Sequence, residues 1–347
     1  MQDHDAFSSR AAPPGGAALD WLIFLDPPAH TRLRALISRT FTPRAIAGLE
    51  PRIETIVDDL LAAVIHRGSM DLMSDFAVPL PLRVIGELLG LPAADRSSLL
   101  RWSNAILHLG DAIHGGARRA RAIDAHRAAT AEMQPYVAQL VAQRRVTPRA
   151  DLLSRLAEAE VDGEQLADAE ILGFFELLLL AGTETTSNLI GNAMITFLEF
   201  PEQMERVRRA PELLPAAIEE VLRFRTPVQM IFRSTTRAVQ IRGRTIPAGK
   251  LVLPMIGSAN RDPRHFPNAG RFDIMRAPTP HLAFGHGVHF CIGSALARLE
   301  ARVALTALLQ QLDGVRLVTR RWETQSAVNV YGAKRLLVSF ERVGRPR

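Results

Sequence analysis

The stretch Phe284-Gly285-His286-Gly287-Val288-His289-Phe290-Cys291-Ile292-Gly293 contains the only cysteine among the 347 residues of the chain. Two glycines precede the cysteine, one follows it, and a helical pattern begins immediately afterwards. Glycines permit positive φ angles and let a flat ligand approach the backbone. A cysteine at the start of a helix lies at the positive end of the helix dipole, which favours thiolate over thiol. The stretch therefore predicts a loop that presents a thiolate to a flat ligand.

The residues alone leave two other interpretations of Cys291 open. A lone cysteine is usually a small buried hydrophobe without chemistry of its own. Alternatively, His289 could act as a base that activates Cys291 as a nucleophile, although the sequence holds no partner motif for such a site. A single cysteine excludes a disulfide within the chain and fits a reducing compartment.

The spacing F-G-x-G-x-H-x-C-x-G resembles the haem-binding loop of the cytochrome P450 family, and every fixed position is filled. The resemblance extends from about Asp5 to Arg342. It implies haem b (iron protoporphyrin IX) as the cofactor and Cys291 as the iron ligand. A thiolate ligand donates electron density that favours O–O cleavage. The resemblance thus implies a haem-thiolate monooxygenase that inserts one atom of O2 into an organic substrate, with three further haem contacts in the loop: Phe284, Gly285 and Gly293.

A second motif, Ala181-Gly182-Thr183-Glu184-Thr185-Thr186, lies in the middle of the longest predicted helix. Glycine and threonine are poor helix formers, and the glycine alone costs about 1 kcal/mol. The motif resembles the acid-alcohol pair of the family's central helix. The resemblance implies that Glu184 and Thr185 are catalytic residues for proton delivery and that Gly182 leaves room for dioxygen. The alternative is an ordinary core helix.

Glu220 and Arg223 are spaced i, i+3 and therefore share one helix face. The pattern E-x-x-R is common, and a solvated ion pair is its usual meaning. Its place between the central helix and the cysteine loop resembles the family, which implies a buried pair that braces the thiolate side of the haem. Arg271, in the sequence G-R-F-D at 270–273, matches the third member of that network.

Four cationic residues from separate stretches match the family's contacts to the haem propionates: His30, Arg34, Arg233 and His289. His30 and Arg34 stand one helical turn apart in a stretch, 26–34, that resembles the propionate-binding helix. The resemblance implies charge-assisted hydrogen bonds from all four residues to the two carboxylates. Each residue taken alone is equally well explained as a surface side chain.

Composition limits the remaining classes of protein. The formal net charge is +6, but the basic residues are nearly all arginines scattered among acids, so no nucleic-acid partner is predicted. Residues 1–20 carry no secretory pattern, and the most apolar run, 171–181, contains Glu176 and is too short to cross a bilayer. We therefore expect a cytoplasmic protein that does not enter a membrane.

Hydrophobic periodicity predicts a mainly α chain with a minor β component. Helices are expected over 43–67, 79–91, 95–109, 118–145, 163–200, 211–225 and 292–312, and short strands over 235–254 and 315–340. Residues 1–347 are predicted to form a single haem-binding domain with the cytochrome P450 fold. The resemblance also implies that the family's leading segment, an early sheet and two helices, is lacking, because Met1 falls close to where that segment should end.

The resemblance also implies the partners. These are a small apolar organic substrate, expected to be a secondary metabolite, together with dioxygen and a separate ferredoxin or flavoprotein that donates electrons. The alternative is a P450-like haem protein without oxygenase activity, acting as a scaffold or binding module. Three positions on the central helix and two further segments are expected to line the substrate pocket: Phe174, Leu178 and Ala181, together with 228–231 and 328–330. Four arginines are expected to form a basic face for the redox partner: Arg39, Arg44, Arg298 and Arg302.

Overall fold

Helices make up most of the structure, a computed structural model that describes residues 3–10, 21–38, 41–109, 116–161, 163–319, 322–325 and 329–342. This confirms the predicted class, mainly α with a minor β component. The α-helices within the described residues are α1 Ala29–Ser38, α2 Pro43–Ala47, α3 Glu50–Ala62, α4 Pro79–Leu88, α5 Arg96–Leu107, α6 Gly116–Val146, α7 Leu152–Ala157, α8 Asp168–Glu199, α9 Pro201–Arg209, α10 Leu214–Phe224, α11 Ile256–Ala259 and α12 Ser294–Gln311.

The strands are short and pair in antiparallel fashion. One three-stranded sheet has the order β1-β5-β8, with Phe7 opposite Thr235, and another has the order β2-β12-β9, in which Val338 pairs with both Met70 and Leu317. The remaining strands form the pairs β3-β4, β6-β7 and β10-β11. The bounds are β1 Phe7–Ser8, β2 Ser69–Asp71, β3 Glu160–Val161, β4 Glu164–Gln165, β5 Arg233–Thr235, β6 Val239–Ile241, β7 Arg244–Ile246, β8 Leu251–Val252, β9 Leu312–Leu317, β10 Glu323–Thr324, β11 Ala333–Arg335 and β12 Leu337–Arg342.

Proline and capping residues move several helix boundaries away from the predicted ones. The helix expected over 43–67 divides into α2 and α3, because Thr42 caps the first and Pro51 stands in the first turn of the second. Pro201, expected only to end the central helix, also begins α9, since proline is well suited to the first turn of a helix. The central helix begins at Asp168 rather than at 163, because Glu164–Gln165 pair with Glu160–Val161.

Helix α8 runs through a continuous apolar core and packs against α4, α5, α6 and α12. Its contact with α4 is close because Gly182 has no side chain. A Cβ atom at Gly182 would lie 2.7 Å from Cδ1 of Ile85, well inside van der Waals contact. The space beside this glycine is therefore filled by Ile85, so close helix packing by itself accounts for a glycine here, and the prediction that Gly182 leaves room for dioxygen stays a prediction. No helix in the described part of the chain is sufficiently long and apolar to span a membrane.

Candidate active site

The cysteine loop is the irregular segment that leads into α12. The N–H of Cys291 donates to the carbonyl oxygen of Phe284 at 2.9 Å and closes the loop. Gly285 and Gly287 have φ angles of +74° and +79°, in the left-handed region that favours glycine. Cys291 is partly exposed and precedes the first residue of α12, Ser294, by one short turn.

Burial has the largest effect on the pKa of Cys291. Desolvation raises the pKa of the thiol, because the charged form is penalised in an apolar setting, while the N–H of Gly293 and the charges of Arg34 and Arg298 lower it by less. The prediction that the helix start favours the thiolate stays a prediction. A metal ion would reverse this balance, since a coordinating thiol loses its proton.

Two histidines from distant parts of the sequence meet beside this loop. The ring centroids of His30, on α1, and His289 lie 4.1 Å apart. His289 Nε2 is 3.0 Å from Ser9 Oγ, whereas His30 is 2 % exposed and neither of its ring nitrogens has a hydrogen-bond partner within the described residues. A buried polar group is normally paired, so these nitrogens indicate a ligand from outside the chain.

Two arginines complete a cation cluster consisting of His30, Arg34, Arg233 and His289. A guanidinium N–H of Arg34 donates to the carbonyl oxygen of Phe290, next to Cys291. Arg233 is buried, and its Nη1 donates to the Phe232 carbonyl at 2.7 Å. Burial, together with the nearby His30 and Arg233, lowers the pKa of His289 to about 4. The structure thus brings all four predicted propionate contacts together, and their mutual repulsion favours an anionic ligand.

Asp26 and Ser9 also belong to this region, although no role was predicted for either. Asp26 accepts a hydrogen bond from the N–H of Ser9 at 2.8 Å and another from the hydroxyl of Ser8. Its charge raises the pKa of His30 and of Arg233, against the larger effect of burial. A single aspartate ahead of a helix is too common in sequences to indicate such a contact.

Glu184 and Thr185 lie on a stretch of α8 that is less buried than the rest of the helix. Ala181 is exposed and Thr185 is half-buried, although most of the helix on either side is buried. The Thr185 hydroxyl donates to the Ala181 carbonyl at 2.7 Å. Burial raises the pKa of Glu184 to about 7, and its Oε1 has no hydrogen-bond partner among the described residues. An acid that is partly protonated at neutral pH thus stands beside a hydroxyl on an open stretch of helix.

The buried ion pair predicted from E-x-x-R is present. Arg223 donates to both oxygens of Glu220 at 2.7 Å and to the carbonyls of Asn260, Ala269 and Arg271. The third member of the network is Arg276, whose Nε lies 3.1 Å from each Glu220 oxygen. The assignment of Arg271 is wrong, because its side chain is exposed and only its carbonyl oxygen takes part.

Two of the arginines expected to dock a redox partner are already paired. Arg298 donates to Glu219 at 2.6 and 2.9 Å, and Arg302 lies 2.8 Å from Glu50. These pairs reduce the net positive charge of this face, and the prediction that it docks a redox partner stays a prediction. Arg44 is exposed on α2, which packs against α12, whereas Arg39 lies outside the described residues.

Two of the predicted pocket segments lie side by side. Val228 forms an isolated antiparallel bridge with Val330, and the N–H of Gln229 donates to the carbonyl of Asn329 at 2.8 Å. On α8, Phe174 and Leu178 are buried in the apolar core, so only Ala181 of the three predicted positions is open. Position 328 lies outside the described residues.

The residues present fit haem on two counts. The described part of the chain holds no group of three or more His, Cys, Asp and Glu side chains that could bind a metal ion. A metal bound through Cys291 would therefore take its other ligands from a prosthetic group. The unpaired nitrogens of His30 and the surrounding positive charge also suit a group that carries carboxylates.

Known proteins resemble this chain over most of its length. A model of the family "Cytochrome P450" matches residues 116–315. Cytochrome P450 107B1 of Saccharopolyspora erythraea is 45% identical over 293 residues, which cover 84% of this chain and 70% of that protein. Cyclomarin C epoxidase CymV of Salinispora arenicola is 41% identical over 321 residues, which cover 92% of this chain and 80% of that protein.

A solved structure extends the likeness to the fold. The crystal structure of CYP109E1 from Bacillus megaterium in complex with testosterone matches with a TM-score of 0.88 and 36% identity, covering 98% of this chain and 89% of that one. The predicted fold and the family resemblance are thereby confirmed. The chain therefore belongs to the cytochrome P450 family of monooxygenases, whose cofactor is haem b.

Proposed function

We propose that this chain binds haem b through Cys291 and oxidises a small apolar organic molecule of secondary metabolism. The observation that carries the proposal is His30, a buried imidazole with two unpaired nitrogens in a cation cluster beside the loop of a lone cysteine. Haem b joins two carboxylates to an iron ion that accepts a thiolate, so it satisfies both halves of the site.

Haem b, when bound, supplies the activation of dioxygen and the transfer of one oxygen atom to the substrate. The protein's part begins with orientation. The cation cluster would donate hydrogen bonds to the propionates, and Cys291 would ligate the iron. The three loop residues Phe284, Gly285 and Gly293 would contact the haem on the side of Cys291. Burial of the cluster makes these charge-assisted bonds stronger than they would be in water.

Glu184 and Thr185 deliver protons in this proposal. Because the pKa of Glu184 is about 7, its carboxyl group can release a proton and recover it near neutral pH. The Thr185 hydroxyl, now bonded to the Ala181 carbonyl, can instead donate to a group above the open stretch of α8. Adjacent positions on a helix point in different directions, so Glu184 can face water while Thr185 faces the reacting atoms.

The substrate class is supported by the named relatives and by the pocket segments. One relative is a cyclomarin C epoxidase, and CYP109E1 was crystallised with testosterone. Val228 and Val330, which face each other across the predicted pocket wall, are apolar. Electrons are proposed to come from a separate ferredoxin or flavoprotein. The continuous core supports the further proposal that residues 1–347 form one domain.

The test is product formation under 18O2 with a surrogate ferredoxin and its reductase, using substrates first found by spectral-shift titration of the ferric protein. We expect one 18O atom per product molecule and NADPH consumption coupled to product. Thr185→Ala should keep the haem and still consume NADPH, but release more peroxide and less product. NADPH consumption without product from any ligand that shifts the spectrum would contradict the proposal and favour a scaffold.

Ser187→Ala is the matched control for Thr185→Ala. The Ser187 hydroxyl also donates to a carbonyl four residues earlier, that of Thr183, at 2.7 Å. Two residues further along the helix, at about 100° per residue, it lies on the far side of α8 from Thr185. Coupling should therefore fall in Thr185→Ala and stay at the wild-type level in Ser187→Ala; equal coupling in both would remove Thr185 from the mechanism.

A further inference from the structure

A second ionic cluster adjoins the cysteine loop. Its members are Glu219 of α10, His281, Phe284 and Arg298 of α12, and we call it the Glu219 clamp. Glu219 accepts hydrogen bonds from Arg298 Nε and Nη2 at 2.6 and 2.9 Å, and His281 Nε2 lies 3.2 Å from its Oε2. One carboxylate therefore joins α10 to the segments before and after Cys291.

Phe284 connects this clamp to the cysteine. The Arg298 guanidinium carbon lies 4.4 Å from the centroid of the Phe284 ring, which is a cation–π contact. The His281 ring lies 6.2 Å from the same ring, and His281 Nδ1 accepts the N–H of Ala283 at 3.2 Å. The carbonyl oxygen of Phe284 in turn accepts the N–H of Cys291. A displacement of Phe284 would thus be transmitted directly to the cysteine backbone.

The charge of the clamp is balanced. Burial raises the pKa of Glu219, but hydrogen bonds from Arg298 and His281 outweigh it and hold this pKa at about 2. Glu219 is therefore ionised at neutral pH, and it neutralises Arg298. The Arg298 charge interacts with Cys291. Without Glu219, Arg298 would add an uncompensated positive charge near the sulfur.

We propose that Glu219 is a positioning residue for the thiolate ligand: it fixes Arg298 and His281, and through Phe284 it sets the position and electrostatic environment of Cys291. The inference rests on the proposed ligation of iron by Cys291. Arg298 is 38% exposed, and two of its guanidinium nitrogens are engaged with Glu219.

The test compares Glu219→Gln with Glu212→Gln in the holoenzyme. Glu212 is exposed just ahead of α10, so its variant loses the same charge without touching the loop. Two quantities are measured: the Fe(III)/Fe(II) reduction potential and the share of ferrous-CO protein with the red-shifted thiolate band. In Glu219→Gln we expect a higher potential, because net positive charge favours the reduced iron, and a smaller share of that band. A potential and a band equal to those of Glu212→Gln would overturn the proposal.

Arg298→Lys keeps the proposal testable if Glu219→Gln takes up no haem. Lysine keeps the charge but cannot form the fork to Glu219 or stack on Phe284 in the same way. We expect an unchanged potential and a loss of the red-shifted band at lower urea than in the wild type; a wild-type urea profile would overturn the role of the clamp. Failure of the proposed function differs from both outcomes, because the wild-type protein itself would then lack the red-shifted band.

Discussion

Replacement of Arg276 by alanine tests the assignment of the buried network that braces the loop side of α10. The Arg276 side chain is 14% exposed and Glu220 is 4% exposed. Besides the two contacts to Glu220, Arg276 donates to the carbonyls of Pro267, Asn268 and Arg271. Alanine removes all of these donors at once, and Glu220 keeps Arg223 as its only cation in the network described above.

The expected loss follows from these contacts. Hydrogen bonds to charged groups contribute about 1.5–3 kcal/mol each, and an orphaned buried acceptor costs about 1–3 kcal/mol. Because Arg223 still pairs with both Glu220 oxygens, the loss should stay below the roughly 3–5 kcal/mol of a completely broken buried pair. We therefore expect Arg276→Ala to lower the free energy of unfolding by about 2–4 kcal/mol. Arg271→Ala, at an exposed side chain, should change it by less than about 0.5 kcal/mol.

Urea unfolding followed by circular dichroism measures both variants, compared at equal haem loading and equal m-value. The two arginines lie five positions apart and differ in their contacts to Glu220, so each serves as the control for the other. If Arg271→Ala destabilised the protein as much as Arg276→Ala, the network drawn from the structure would be wrong.

Three further predictions follow from single residues. Glu184→Gln should raise the free energy of unfolding by up to about 3 kcal/mol near pH 8 and leave it unchanged near pH 4. The folded-state pKa of Glu184, about 7, lies above the ordinary 4.5, so the stability of the wild-type protein falls as pH rises between these values. Equal stability of the two proteins at pH 8 would contradict the burial of this carboxyl group. Gly332→Ala should destabilise the protein by about 1–3 kcal/mol, because the new Cβ would lie 2.0 Å from Oδ1 of the buried Asn188. Gly270→Ala, whose new Cβ would have no atom within 4 Å, should leave urea unfolding unchanged. Equal effects of the two substitutions would refute this packing. Reduction of the protein by a ferredoxin should become slower as the salt concentration rises, since exposed charges mainly set the encounter rate. At a fixed salt concentration it should be slower in Arg44→Glu than in the wild type. Stopped-flow reduction rates that show neither effect would remove Arg44 from the docking surface.

The sequence predicts those site residues that lie at a fixed spacing within one short motif. Cys291, Glu184 with Thr185, and Glu220 with Arg223 lie in short motifs on one loop or one helix, where local geometry determines which residues face each other. The cation cluster was also predicted, but through family resemblance, because His30 and His289 meet only after folding.

The contacts that the sequence does not predict share a physical cause, which is competition among tertiary partners. Arg276 and Arg271 both stand near the network in sequence, and only the path of the loop decides which guanidinium reaches Glu220. The ion pair of Arg298 was not predicted, because its partner, Glu219, lies on another helix. The contact of Gly182 with Ile85 was not predicted either, because the opposing side chain cannot be found from spacing along α8.

Local rules also conflicted at two positions along the chain. Pro201 follows the end of α8 and begins α9. Proline suits both the position after a helix and the first turn of the next one, so the sequence alone does not show that a second helix follows. At Cys291 burial raises the pKa while the N–H of Gly293 lowers it, and only the packed structure shows that burial has the larger effect. Boundaries and pKa values therefore depend on the folded protein, whereas motif identity does not.

The most direct test of the central claim is the ferrous-CO spectrum of Cys291→Ser beside that of the wild type. A thiolate opposite CO gives a strongly red-shifted Soret band, and serine offers no sulfur. We expect the band in the wild-type protein and its complete loss in Cys291→Ser, with haem still held by the cation cluster. A red-shifted band that persists in Cys291→Ser would show that this cysteine is not the iron ligand.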